Sequence, residues 1–304
     1  MPNFPVPNVI RPGDTTKADP FTILVVANPV LESPLNSGNF VVDPIMSNST
    51  GFFHCVDYVE QSLFAKLAGQ ADPMLSDPSI APVIRLLALF HSGLPADGQF
   101  SFVGEDDVSD ELLVARRTTI GDFLRAEGII ADIVYAISGS PTHARATAWF
   151  TSDDDTSPGV AFTVDGMTMH HRHRYLIPGT IAMHFTASSL TAPHEFQHAI
   201  SSYTNGMIVD LYVDSPPAIN NKRKRPIPAV YGTQNAATLN SDLTRGTMTY
   251  PPTWTSFHCE IHDPNNPAIM DNYYMASSGV PEVCQNDTIT RAFVLDRIRA
   301  KAAR

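Results

Sequence analysis

Cysteine is scarce in this chain. Cys55, Cys259 and Cys284 are the three in 304 residues. At most one bridge can form within the chain, which excludes a disulfide scaffold. Positive charge is scarce too: 20 Lys and Arg stand against 31 Asp and Glu, a net charge of −11. A surface this acidic is a poor partner for phosphate backbones, so nucleic acid is not expected as a ligand. No apolar run approaches the ~20 residues that a bilayer-spanning helix needs, so no membrane span is expected. The first residues, MPNFPVPNVIRPGD, show no apolar core of a secretory signal, which leaves the localisation open and favours the cytoplasm.

What remains is an ordinary globular balance, 43% hydrophobic and 17% charged, enough to bury a sizeable core. The 25 prolines announce many loops. Residues 1–20 read as an N-terminal arm. Phe21 to Val26, Pro82 to Phe90 and Ile129 to Ile137 are continuous apolar runs and read as buried strands. Phe53, Val56, Val59, Leu63, Phe64 and Leu67 recur at helical spacing and predict an amphipathic helix over Phe52 to Leu67. A second helix is predicted over Ser109 to Glu127, stopped by Gly128. Residues 28–50 and 91–107 read as loops.

This β–α–β–α–β order predicts an α/β lobe around a largely parallel sheet. Ala144 to Phe150, Val160 to Val164, Arg172 to Ile177 and Thr180 to Phe185 read as further strands. A helix is predicted from Thr191 to Thr204 and a last one from Thr288 to Ala303. The stretch 215–253 reads as a long insertion with few regular elements. Within it Lys222-Arg223-Lys224-Arg225 reads as a solvated loop, and so does Asp153-Asp154-Asp155 farther upstream.

One motif carries chemistry: His194-Glu195-Phe196-Gln197-His198. Residues i and i+4 of a helix share a face, so both imidazoles can hold one zinc ion, with Glu195 beside it as general base for a metal-bound water. Pro193 fits only if the helix begins near Thr191, which places it in the first turn, where no N–H is needed. A catalytic zinc needs a third protein ligand and an open position. The candidates are Asp210, Asp214, Asp242, His258, Glu260, His262 and Asp263. Read as a strand, Trp254 to His262 puts His258, Glu260 and His262 on one face. His258 is the leading candidate, and His262 the alternative.

Pro267-Ala268-Ile269-Met270-Asp271-Asn272-Tyr273 resembles the Met-turn of metzincin zinc peptidases, with Met270 as the methionine under the metal. Cys284-Gln285-Asn286-Asp287, followed by a helix from Thr288, resembles the ending of pappalysin-like members. The long insertion between His198 and the third histidine, with that histidine about a dozen residues before the Met-turn, resembles leishmanolysin-like peptidases, and His258 fits this spacing better than His262. The resemblance implies a zincin-like α/β (α+β) catalytic domain of two lobes. The upper lobe, 21–206, would carry a twisted mixed sheet and the zinc helix. The loop-rich lower lobe, 207–304, would carry the third ligand, the Met-turn and the final helix. It also implies Zn2+ as cofactor, a peptide or protein as substrate, and Tyr273 as a possible carry-over of the oxyanion-stabilising tyrosine. Two other readings remain: a zinc hydrolase acting on a non-peptide amide, and an inactive zincin-fold binding protein. His170-His171-Arg172-His173 reads as an exposed or cleft strand, with residues 160–177 expected to supply a substrate-aligning edge. Cys259 and Cys284 are expected as thiols, pairing only in an exported protein.

Overall fold

In the computed structural model the described residues are 4–17, 20–65, 70, 72–107, 111–151, 161–164, 167–170, 177–188, 190–201, 207–208, 256–257, 269–270, 285–286 and 288–303. In chain order the strands are β1 (Asn8–Pro12), β2 (Phe21–Ala27), β3 (Val30–Glu32), β4 (Phe40–Val42), β5 (Ile84–Leu89), β6 (Ser101–Asp106), β7 (Leu112–Ala115), β8 (Ile133–Ser138), β9 (Thr147–Trp149), β10 (Ala161–Val164), β11 (Met167–His170), β12 (Gly179–His184), β13 (Met207–Ile208) and β14 (Ser256–Phe257). The helices are α1 (Ser49–Phe64), α2 (Arg117–Glu127), α3 (Thr191–Ala199) and α4 (Thr288–Ala302).

The continuous apolar runs become the middle of a six-stranded sheet ordered β1-β5-β2-β8-β12-β9. Its four inner strands are parallel, while β1 and β9 close the two edges antiparallel. A parallel sheet covered on both faces needs apolar residues at every position, and all of β2 and β8 is buried. On one face Ile23, Val25, Tyr135, Ile137, Ile181 and Met183 pack against Phe52, Val56, Val59 and Leu63 of α1, Phe196 of α3, and Val294 and Ile298 of α4. On the other face Leu24, Val26, Val134, Ala136 and Ala182 meet Ile120, Phe123 and Leu124 of α2 and Phe102 and Val103 of β6. A second sheet, β4-β3-β6-β7, flanks the first. The architecture is therefore mixed α/β with mixed sheets.

Several boundaries differ from those the sequence predicts. The arm's residues 8–12 are β1, hydrogen-bonded to β5 at the sheet edge farthest from β9. The predicted loops 28–50 and 91–107 contain β3, β4 and β6. The helix predicted from Ser109 begins at Arg117, because Leu112–Ala115 pairs with β6. Its end at Gly128 stands, in the left-handed conformation (φ +65°) that favours glycine. Helix α1 starts three residues early, where the Asn48 side chain accepts a hydrogen bond from Gly51 N at 2.9 Å.

A buried polar knot ties the two sheets together. Asp43, fully buried, accepts hydrogen bonds from Ile45 N, Gly139 N, Asn28 Nδ2 and Ser138 Oγ. Burial pushes its carboxyl above the usual range, against the pull of those four donors. Asn28 Oδ1 in turn accepts from Phe102 N and Val103 N of β6.

Candidate metal centre

Helix α3 follows the inner parallel strand β12 after a short connection. It begins at Thr191, whose N–H donates to Ser188 O at 2.8 Å. Pro193 therefore sits in the first turn, as its missing N–H requires. Nearly the whole helix is buried, with His194 2% and Glu195 6% exposed. Its floor is the sheet: the fully buried Tyr135 of β8 donates its hydroxyl to Ala192 O at 2.8 Å. Burial, then the charge of Glu195, raise the Tyr135 phenol well above its ordinary value. The phenol thus stays a donor, and it places the Glu195 carboxylate within electrostatic reach of the helix floor.

The two histidines stand together as the i, i+4 spacing predicts, ring centroids 5.0 Å apart and the planes at 86°. Each Nδ1 faces a backbone carbonyl. His194 Nδ1 lies 2.8 Å from Ile269 O, and His198 Nδ1 lies 2.9 Å from Ile208 O. A carbonyl can only accept, so in both rings Nδ1 carries the proton, and the lone pair of the neutral imidazole resides on Nε2. This is the orientation that metal-ligating histidines adopt, one ring nitrogen donating to a carbonyl while the other binds the ion.

The carbonyls come from two separate segments. Ile208 belongs to β13, held through its own N–H by Ser201 Oγ at 2.8 Å, and Ser201 Oγ donates to Gln197 O of the helix. Strand β13 pairs in parallel with β14, Ile208 opposite Phe257, the residue before His258 in sequence. Ile269 and Met270 form a turn; Met270 is fully buried in the same core as Phe196. Ile269 N donates to Gln285 O at 2.9 Å. The neighbouring Asn286 accepts from Gln197 Nε2 at 3.2 Å through its side-chain oxygen.

His194, Glu195 and His198 are thus gathered on one buried helix, with Met270 in a buried turn joined to His194 through Ile269. The remaining candidates, Asp210, Asp214, Asp242, His258, Glu260, His262, Asp263 and Tyr273, lie outside the described residues. So do His171, His173, Cys259 and Cys284. Among the described residues no group of three or more His, Cys, Asp or Glu is placed to hold a metal. Two imidazoles with fixed Nδ1 tautomers nonetheless suit zinc, whose protein ligands are commonly histidine nitrogens.

The sheet edge beside the site differs from the one expected at 160–177. It is β9, antiparallel to β12. Its surroundings are already engaged: Leu113 N donates to Arg145 O, Arg117 donates to Phe150 O, and Thr151 N donates to Ala199 O and Ser201 O. Ala161–Val164 and Met167–His170 instead pair antiparallel with each other as β10 and β11, apart from the six-stranded sheet, and 171–176 lie outside the described residues.

Sequence reasoning missed Tyr135, Gln197 and Asn286 as site residues, and both carbonyls. Backbone acceptors leave no trace in residue type, and Asn286 is recognisable only once the fold brings it to α3. Among the described residues no helix is long and apolar enough to cross a membrane. Comparison with protein-family models and with curated proteins finds no match.

Proposed function

We propose that this chain is a zinc-dependent peptidase of zincin-like, two-lobe design, with His194 and His198 as two of three protein ligands. The observation that carries the reading is the pair of Nδ1–carbonyl bonds. Two histidines of an H-E-x-x-H helix are each held at the ring nitrogen that a metal would not use. The buried Met270 turn beside His194 adds support from the resemblance to metzincins. For the third ligand we favour His258, since the preceding residue Phe257 pairs with the Ile208 segment that orients His198; His262 is the alternative.

Zinc in such a site supplies Lewis-acid polarisation of a scissile carbonyl and acidifies water to a pKa of about 7. The protein's own part falls to Glu195, between the two histidines in sequence. Its carboxylate takes the proton from the attacking water and hands it to the leaving amine, a role worth roughly 10²–10⁴ in rate. Burial of the helix keeps bulk water from competing for that carboxylate. Tyr273 is kept as the candidate oxyanion donor.

The test combines elemental analysis with digestion of an unfolded protein substrate. Wild type should hold near one zinc per chain. His194→Ala and His258→Ala should lose it, and Glu195→Gln should keep it while peptide cleavage falls by about 10²–10⁴. Zinc retained in His258→Ala would move the third ligand to His262 or an acid. Zinc without cleavage of any peptide would replace the peptidase by a non-peptide amidohydrolase or a binding protein. A wild type that takes up no zinc on reconstitution would refute the reading.

A further inference from the structure

The dipeptide Gln285-Asn286 touches the metal helix by two routes. Gln285 O accepts from Ile269 N at 2.9 Å, and Ile269 O accepts from His194 Nδ1 at 2.8 Å. Asn286 Oδ1 accepts from Gln197 Nε2 at 3.2 Å. Gln197 lies three residues after His194 and immediately before His198. Consecutive residues thus fix both the carbonyl that orients the first imidazole and the helix that carries it.

The dipeptide is itself tied to Asp72. Asn286 Nδ2 donates to Asp72 O at 2.6 Å, and Asn286 N donates to Asp72 Oδ1 at 3.3 Å. Arg291 of α4 pairs with Asp72 Oδ2. Asp72 lies just beyond α1, which packs on the same sheet face as α3. Asn286 is 8% and Gln197 1% exposed, so water does not readily replace these bonds. In the Asn286 amide the donor is spent on one segment and the acceptor on another, the pattern of a cross-strut rather than of a cap.

We infer that Asn286 is a positioning residue for the metal helix, setting through its bond to Gln197, and through the neighbouring Gln285 that holds Ile269, the orientation in which His194 meets a metal. Its metal arm rests on the zinc reading above; its structural arm does not. Partners that orient a ligating histidine commonly govern 10–100-fold in metal affinity; Asn286 acts farther out, directly through its bond to Gln197 and indirectly by anchoring the neighbouring Gln285, whose carbonyl holds Ile269.

Two measurements separate these arms. In metal-free protein, long-range proton–nitrogen NMR should give a slowly exchanging Nδ1–H signal for His194, assigned by its loss in His194→Ala. That signal should shift and exchange rapidly in Asn286→Ala. Zinc affinity by chelator competition should weaken about 10-fold or more in Asn286→Ala. Gln197→Ala should weaken it in the same direction, and the double variant should fall short of the product of the two effects. Lys301→Ala, which breaks the α4 pair with Asp132 without touching Asn286, controls for loosening of the final helix and should leave zinc affinity within about twofold. An unchanged His194 signal in Asn286→Ala overturns the proposal, and so do zinc losses in Lys301→Ala equal to those in Asn286→Ala. A wild type without zinc affinity whose His194 signal is still lost in Asn286→Ala would sink the zinc reading and leave the strut standing.

Discussion

Replacing Tyr135 with phenylalanine removes one oxygen from the floor of α3 and nothing else. The ring is fully buried, so phenylalanine fills the same space and leaves no cavity. The bond lost is the 2.8 Å hydroxyl contact to Ala192 O. That carbonyl keeps its α-helical bond from Phe196 N, so no acceptor is orphaned. The cost at neutral pH is then that of one neutral hydrogen bond, about 1 kcal/mol. Alkaline pH reverses the ranking. The folded phenol is raised well above the ordinary value of 10.0, chiefly by burial. Its contribution is therefore fully present below pH 10 and is lost as pH rises through the unfolded value, where the unfolded chain sheds a proton that the folded chain keeps. At pH 11 that loss amounts to about 1.4 kcal/mol. The phenylalanine variant has no such term. Urea unfolding of both proteins from pH 7 to 11 should show wild type ahead by about 1 kcal/mol at pH 7 and behind by a few tenths at pH 11, crossing near pH 10.7 or so. A gap that stays constant with pH would mean that Tyr135 ionises as freely folded as unfolded, and the account of a neutral phenol beneath Glu195 would fail.

Three further outcomes follow from the packing. A methyl group at Gly179 would lie 2.1 Å from Ala199 O, at the end of α3; Gly179→Ala should cost about 2–3 kcal/mol in thermal unfolding and, on the zinc reading, weaken zinc binding by displacing His198. Asp43→Ala strands four donors in the knot between the sheets, and chemical denaturation should report a loss of about 3 kcal/mol or more. Burial pushes the Cys55 thiol up to about 12; at pH 8 peptide-resolved labelling should find Cys55 modified only under conditions that unfold the chain, and rapid labelling of the native protein would contradict its placement in the α1 core.

The sequence is legible wherever a segment's own pattern decides its structure. Helix α1 shows because Val56, Val59 and Leu63 face the sheet at helical spacing, and β2 and β8 show because both of their faces are covered. Strand β6 is hidden because its polar residues are satisfied at long range. Glu105 is a case in point. Burial works against its charge, yet hydrogen bonds from Ser140, Ser33 and Thr142 hold its carboxyl below the usual range. A local reading of Ser101–Asp106 sees only a polar loop. In Leu112–Ala115 the buried Leu113 and Ala115 alternate with half-exposed neighbours, but the segment runs without a turn signal into α2, whose first residue follows Arg116 with no side-chain cap. For the site, the pair His194 and His198 follows from helix geometry alone. What orients them does not, because the orienting atoms are main-chain oxygens at Ile208 and Ile269.

Those two oxygens also set an order of events. Both lie after the helix in the chain, the nearer 10 and the farther 75 residues beyond the histidine it holds. A polypeptide emerging from a ribosome displays the complete H-E-x-x-H motif long before it has synthesised the second acceptor, and longer still before Asn286 can tie that acceptor in place. During that interval His194 can turn about its side-chain bonds and exchange tautomers freely. Metal captured then would be held by an uncommitted ring. On the zinc reading, secure loading would be a late step of biogenesis, following the docking of Ile269 and Gln285-Asn286 against α3, and the motif would serve as a receptacle that these later residues close.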